Sequence, residues 1–252
     1  MSGKVAHHLQ NVDPAPNRGA GLRVLREDPW TELEAWIDVF GAGGIGGSLY
    51  SAAHDDRMAF AEALISRGAW VHVDIIIDAD GSSVGVPVEA LGELRSTYPD
   101  ALIDVHAIVH ADALGTLDIP LIVRARPQRI CVSNDLVAAT RQAIHQVDSP
   151  PNLWLALAPH DSPDLDDVQR LDIAGVLVML IEPGTAQSAD DALIEKVRSW
   201  APHVRVGVDG GVTRPIADAC FLAGADFAVS GRALLGQNIT PLSPSLKEED
   251  SA

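Results

Sequence analysis

Ionisable side chains recur in three short, strand-like apolar runs: His72-Val73-Asp74, Asp104-Val105-His106 and Val208-Asp209-Gly210-Gly211. Side chains alternate along an extended chain, so His72 and Asp74 share one face while Val73 points the other way. Two histidines and two aspartates form a donor set that suits a divalent cation such as zinc or iron(II). They also include two carboxylates able to serve as acid and base. Burying such groups in strands costs several kcal/mol each unless a partner or a metal compensates the charge. If the fold brings the three runs together, they make an active site.

The elements that must position them follow from the hydrophobic pattern. A helix is expected over 29–39, followed by a glycine-rich stretch and a short first strand at 45–50. A helix over 55–67 leads to strand two at 70–77, and strands three and four are expected at 102–109 and 129–133. Beyond these, helices over 135–146, 164–171, 189–200 and 214–222 alternate with strands at 153–158, 175–181, 204–208 and 226–230. Continuous apolar strands separated by amphipathic helices describe a parallel sheet covered by helices. Eight repeats in this length predict an α/β fold of the TIM (β/α)8 type, with its active site at the C-terminal ends of the strands. His72 and Asp74 then lie late in strand two, His106 late in strand three and Asp209 at the end of strand seven. The competing open, doubly wound sheet needs a glycine fingerprint after its first strand. Here GAGGIGG comes before or within that strand, so it reads as a loop.

Residues 1–20 are polar and rich in proline and glycine, and read as a flexible arm. The barrel is expected over 21–240, with a flexible tail over 241–252. Eighteen basic against 35 acidic residues give a net charge of −17, spread along the 252-residue chain. That excess argues against nucleic acid or an anionic membrane as a partner. A small phosphate ester remains compatible, held by backbone N–H groups and one arginine. Cys131 and Cys220 belong to no CxxC pair and read as buried free thiols of a reducing compartment. The N-terminus lacks the apolar core of a signal peptide, and no apolar run approaches the about 20 residues that span a bilayer. The expected location is the cytoplasm.

The combination of His-Val-Asp, Asp-Val-His, Val-Asp-Gly-Gly-Val and AGADFAVSGRALLG resembles the ribulose-phosphate 3-epimerase family from about Gly46 to Gly236. The resemblance implies a barrel of the ribulose-phosphate-binding type with a metal held by His72, Asp74, His106 and Asp209. Zinc or iron(II) is the first expectation, and manganese or cobalt the second. It further implies that Asp74 and Asp209 work on opposite faces of a sugar carbon beside a ketone. One removes the proton and the other returns it from the far side, through an enediolate and without a nucleotide cofactor. The implied substrate is ribulose 5-phosphate, with xylulose 5-phosphate as product, or a related ketose phosphate of pentose phosphate metabolism. Ser48 falls at the family's strand-one serine, Met179 at a site methionine and Gly184 at the start of the phosphate-side loop. Gly210-Gly211 and Ser230-Gly231-Arg232 open the turns after strands seven and eight, where such barrels bind phosphate. Arg232 stands where these epimerases have a small residue and could grip a phosphate bidentately. A homo-oligomer is a further implication.

Three departures from the family pattern are visible. The loop after strand six reads Pro183-Gly184-Thr185-Ala186-Gln187 and lacks two of the family's glycines. Isoleucine-rich DIIID and HAIV replace the methionines expected after Asp74 and His106, so the pocket shape must differ. The segment ALGTLDIPLIVRARPQ lacks the family's usual helix and Gly-Ala-Asp lead-in to strand four. Two alternatives to epimerisation follow: a non-catalytic barrel that binds metal and a phosphorylated ligand, and a metal-assisted lyase or aldolase on the same enediolate-forming site. The orotidine-phosphate decarboxylase group shares the barrel, but Asp74-Ile75-Ile76-Ile77-Asp78 puts isoleucine where that group has its lysine. Outside the constellation, His7, His8 and His54 read as solvated or capping residues. His110, His160, Asp78 and Asp80 lie near strand ends without a demanded role, and the five tryptophans read as packing residues.

Overall fold

The computed structural model describes residues 30–183, 185 and 187–237. Eight parallel strands close into a barrel in sequence order: β1 (Ile45–Ser48), β2 (Trp70–Ile77), β3 (Ile103–Val109), β4 (Arg129–Val132), β5 (Asn152–Leu157), β6 (Gly175–Met179), β7 (Val206–Asp209) and β8 (Phe227–Ser230). The helices are α1 (Thr31–Phe40), α2 (Arg57–Ser66), α3 (Glu89–Thr97), α4 (Ile119–Arg124), α5 (Asn134–Ile144), α6 (Leu165–Arg170), α7 (Ile194–Trp200) and α8 (Arg214–Leu222). This is the TIM barrel expected from the pattern. The arm over 1–20, with His7 and His8, and the tail over 241–252 lie outside the described residues. No helix among the described residues is long and apolar enough to cross a membrane.

Outward-facing Val71, Val73, Ile75, Ile103 and Val105 join the helices in one buried core. On the inner side Cys131, Trp154, Leu177 and Met179 form a separate apolar cluster. Large rings fill the barrel because their neighbours are small: a Cβ on Gly175 would stand 2.6 Å from the Trp154 ring. Helix α1, which precedes β1, stacks Phe40 on Phe221 of α8 and follows Trp30, which stacks on Phe60 of α2. It therefore fills the gap between the last and first crossover helices, where none follows β8 among the described residues.

Two helices depart from the sequence reading. Helix α3 was not anticipated; its short pattern begins just after Pro87 and is weakly amphipathic. Helix α4 lies within ALGTLDIPLIVRARPQ, where the usual helix was expected to be missing. Pro120 is compatible with it because it sits in the first turn, where its absent N–H would have no partner anyway. The Asp118 side chain caps the same turn, accepting from Leu121 N at 2.8 Å.

Candidate metal and active site

Strand register delivers the ionisable groups to one place. Asp74 pairs with His106 across β2 and β3, and Met179 with Asp209 across β6 and β7. The ligating atoms of His72, Asp74, His106 and Asp209 all lie within 4.8 Å of one another, and all four residues are buried. Imidazole and carboxylate alternate. His72 Nε2 stands 3.1 Å from Asp74 Oδ1 and 3.6 Å from Asp209 Oδ2. His106 Nδ1 stands 3.6 Å and 3.5 Å from the same two oxygens.

These residues fit a divalent cation. Donors about 2.1 Å from one ion stand at most about 4.2 Å apart and roughly 3.4 Å apart around a tetrahedron, and the four imidazole–carboxylate separations fall in the range that a shared ion allows. His106 Nδ1 is buried with no hydrogen-bond partner, an orphan that a metal bond would satisfy. Formal charge points the same way. Asp74, Asp209 and the neighbouring Asp104 carry three negative charges against one buried guanidinium, Arg129, leaving two for a divalent cation to neutralise.

Without a cation, the imidazoles take over that compensation. Burial works to lower the His72 pKa, but Asp74 and Asp104 raise it well above the ordinary value. Burial opposes the charge on His106 too, and Asp209 and Asp74 outweigh it. Burial pushes the Asp74 carboxyl upward, yet His72 and His106 hold it well below the usual carboxylate range.

Each aspartate turns one oxygen to the histidines and keeps the other for a single donor. Ser48 Oγ donates to Asp74 Oδ2 at 2.6 Å. Gly210 N donates to Asp209 Oδ1 at 2.7 Å. Both carboxylates line a cavity of about 220 Å³ at the C-terminal mouth of the barrel. Of the residues expected to contact ligand, Ser48, Met179, Gly210, Gly211, Ser230, Gly231 and Arg232 also line it. Gly184 lies outside the described residues. Gly211 has φ +63°, and a Cβ there would come within 2.5 Å of Ala189 N, so the turn packs against the β6–β7 loop as only glycine permits. Arg232 Nη2 donates to Gln187 O at 3.2 Å across the same loop. Ser230 Oγ donates to Val212 O at 2.7 Å, which commits its proton to holding the turns after β7 and β8 together.

The other candidates stand apart. His54, His110 and His160 have largely exposed side chains next to Asp55, Asp112 and Asp161. Asp78 and Asp80 accept from Ala79 N and Ser82 N in an exposed turn. Two residues went unassigned in the sequence: Asp104 and Arg129. Asp104 Oδ2 meets His72 Nδ1 at 2.6 Å, and Arg129 Nε donates to Asp104 Oδ1 at 2.7 Å. The signal for Asp104 was its spacing, in phase with His106 as His72 is with Asp74. Arg129 gave little signal, as a strand-edge arginine usually reads as exposed. Ile76 and Ile108, from the DIIID and HAIV stretches that replace the family's methionines, line the cavity, as do Tyr50, Ser51 and Gln237, which had no role assigned.

Among solved structures, 3-hexulose-6-phosphate synthase from Salmonella typhimurium is similar at 14% identity and TM-score 0.57, over 76% of this chain and 90% of that one. KGPDC from Streptococcus mutans is similar at 16% identity and TM-score 0.54, over 78% and 91%. A tryptophan synthase α-subunit from Pyrococcus furiosus matches at 14% identity and TM-score 0.56, over 77% and 89%. At these identities the likeness is one of fold. A search of the curated proteins returned no match. The family model described as the ribulose-phosphate 3 epimerase family matches residues 44–235, a range that spans all eight strands and includes His72, Asp74, His106 and Asp209, and the chain belongs to that family.

Proposed function

We propose that this protein is a metal-dependent epimerase of a ketose phosphate, inverting a carbon beside the ketone by two-base proton transfer. The observation that carries this reading is the pair Asp74 and Asp209. They come from strands three places apart around the ring, and each presents one oxygen to the shared imidazoles while lining the cavity. His72, Asp74, His106 and Asp209 would hold the cation. When bound, it would stabilise the negative charge that develops on the enediolate oxygens once the weakly acidic α-proton leaves.

The chain's own residues hold both carboxylates for the proton work. Ser48 Oγ can donate to ionised Asp74 or rotate to accept from the protonated acid, so Asp74 keeps a partner in both states. The Gly210 N–H donates to Asp209 Oδ1 and so leaves Oδ2 turned to the histidines. In one direction one of the two aspartates is the base and the other the acid, and the roles exchange in reverse. The buried floor of the cavity keeps water from competing for the enediolate. At the far side, the Gly210-Gly211 turn, Gly231 and the Arg232 guanidinium form the end suited to a phosphate, in a chain whose overall charge would otherwise repel it.

The test is proton exchange. Protein loaded with zinc or iron(II) should wash deuterium from D2O into C3 of ribulose 5-phosphate or a related ketose phosphate, as read by NMR. Asp74→Asn and Asp209→Asn should each slow the exchange by about 10² to 10⁴-fold. Absence of exchange with every pentulose and hexulose phosphate tried would remove the epimerase reading. Carbon–carbon cleavage products would favour an aldolase instead.

A further inference from the structure

Beneath the cage, three neighbouring strands carry a second set of charged groups in one row. Register pairs His72 on β2 with Asp104 on β3, and Asp104 with Arg129 on β4. Period two turns all three inward. Asp104 uses both oxygens, Oδ1 for Arg129 Nε at 2.7 Å and Oδ2 for His72 Nδ1 at 2.6 Å. His72 then has only Nε2 left, and Nε2 faces Asp74 and Asp209.

Arg129 is held almost wholly by rings. Its guanidinium carbon lies 3.9 Å from the Phe227 ring centroid and 4.6 Å from those of Trp70 and Trp154. Its Nη2 is buried without a hydrogen-bond partner. Asp104 is fully buried and Arg129 is 4% exposed, so both charges pay the full cost of leaving water. Apolar side chains of similar volume would fill this layer at equal or lower cost. A buried ion pair in such a place needs a reason other than stability, and the third partner, His72, supplies one.

We propose that Arg129 and Asp104 are a positioning relay that fixes the His72 ring and presents its Nε2 lone pair to the cation of the mouth site. The inference rests on the metal reading given above. Arg129 Nε fixes Asp104 through Oδ1, and Asp104 Oδ2 accepts from Nδ1–H. That bond selects the tautomer with a free Nε2 and makes Nε2 a stronger donor. Arg129 also offsets the Asp104 charge, so the buried set matches a divalent ion.

The experiment is a zinc competition titration against a chromophoric chelator, with melting temperature recorded for each protein. Asp104→Asn and Arg129→Met should each weaken zinc binding about 10 to 100-fold. The double variant should be little worse than either single one, because both act through His72. Arg129→Lys, which keeps the charge in the ring cage, should recover most of the loss. Long-range 15N–1H spectra of zinc-loaded wild-type protein supply a readout that needs no variant to fold. They should show His72 protonated at Nδ1 and bound through Nε2. A ring bound through Nδ1, or zinc affinity unchanged in both single variants, overturns the relay and leaves the metal site standing. Failure of the wild-type protein to bind zinc overturns both.

Discussion

The barrel interior holds two charged layers, one above the other, that solve the same electrostatic problem differently. In the upper layer Asp74 and Asp209 stay 6% and 8% exposed to the mouth cavity, and their negative charge exceeds what the protein supplies. In the lower layer Asp104 and Arg129 are sealed by Trp70, Trp154 and Phe227, and their charges cancel within the chain. A closed layer must balance its own charge, since nothing can enter to do so. An open layer can leave charge unbalanced, because a cation can enter from the mouth to balance it. His72 belongs to both, with Nδ1 below and Nε2 above.

The sharpest break in this contrast is Arg129→Met. It leaves Asp104 charged and buried without its guanidinium, and should destabilise the fold by about 3–5 kcal/mol in urea unfolding. Adding Asp104→Asn to it should restore part of the loss, because the uncompensated charge goes too. Equal cost for the single and double variants would mean that the lower layer is packing alone.

Acid should act next most strongly, on both layers, and Asp104 isolates its action on the lower one. Burial pushes the Asp104 carboxyl up, but Arg129 and His72 outweigh it and hold it at about 2. Because the folded value lies below the unfolded one, the stabilisation is present in full above the unfolded pKa near 4 and is lost as pH falls through about 2. The shift corresponds to about 2 kcal/mol. Wild-type stability should therefore drop more steeply than that of Asp104→Asn between about pH 4 and pH 2, as followed by circular dichroism at fixed urea. Parallel curves would contradict the pairing.

The smallest effect belongs to the upper layer. Ser48→Ala removes one donor from Asp74 Oδ2, and water in the cavity can replace it, so stability should fall by only about 1 kcal/mol. Proton exchange should suffer more than stability does, since Ser48 serves both protonation states of Asp74.

How much of this was legible in the sequence differs between the same two layers. The mouth was readable, since His72, Asp74 and His106 interrupt apolar runs and Asp209 ends one, and period and barrel topology fix their direction; His72, Asp74 and His106 stand in mid-strand rather than late in it. The barrel was equally readable from its strand runs, with β2 and α8 bounded as expected. Helices α3 and α4 were missed because a short turn opened by proline looks like a loop until packing buries it. The lower layer was hidden for a different reason. Arg129 is an interior residue only because Gly175 and its neighbours leave room for Trp154 and Phe227 to surround it. That depends on four strands at once, and no single stretch of sequence carries it.

Elemental analysis of protein purified without chelator and re-equilibrated with zinc or iron(II) tests the central claim most directly. The account predicts one tightly held divalent ion per chain, lost in Asp74→Ala and in Asp209→Ala, while both variants remain folded. Wild-type protein that retains no metal after gel filtration, or an equivalent that survives both substitutions, would contradict it.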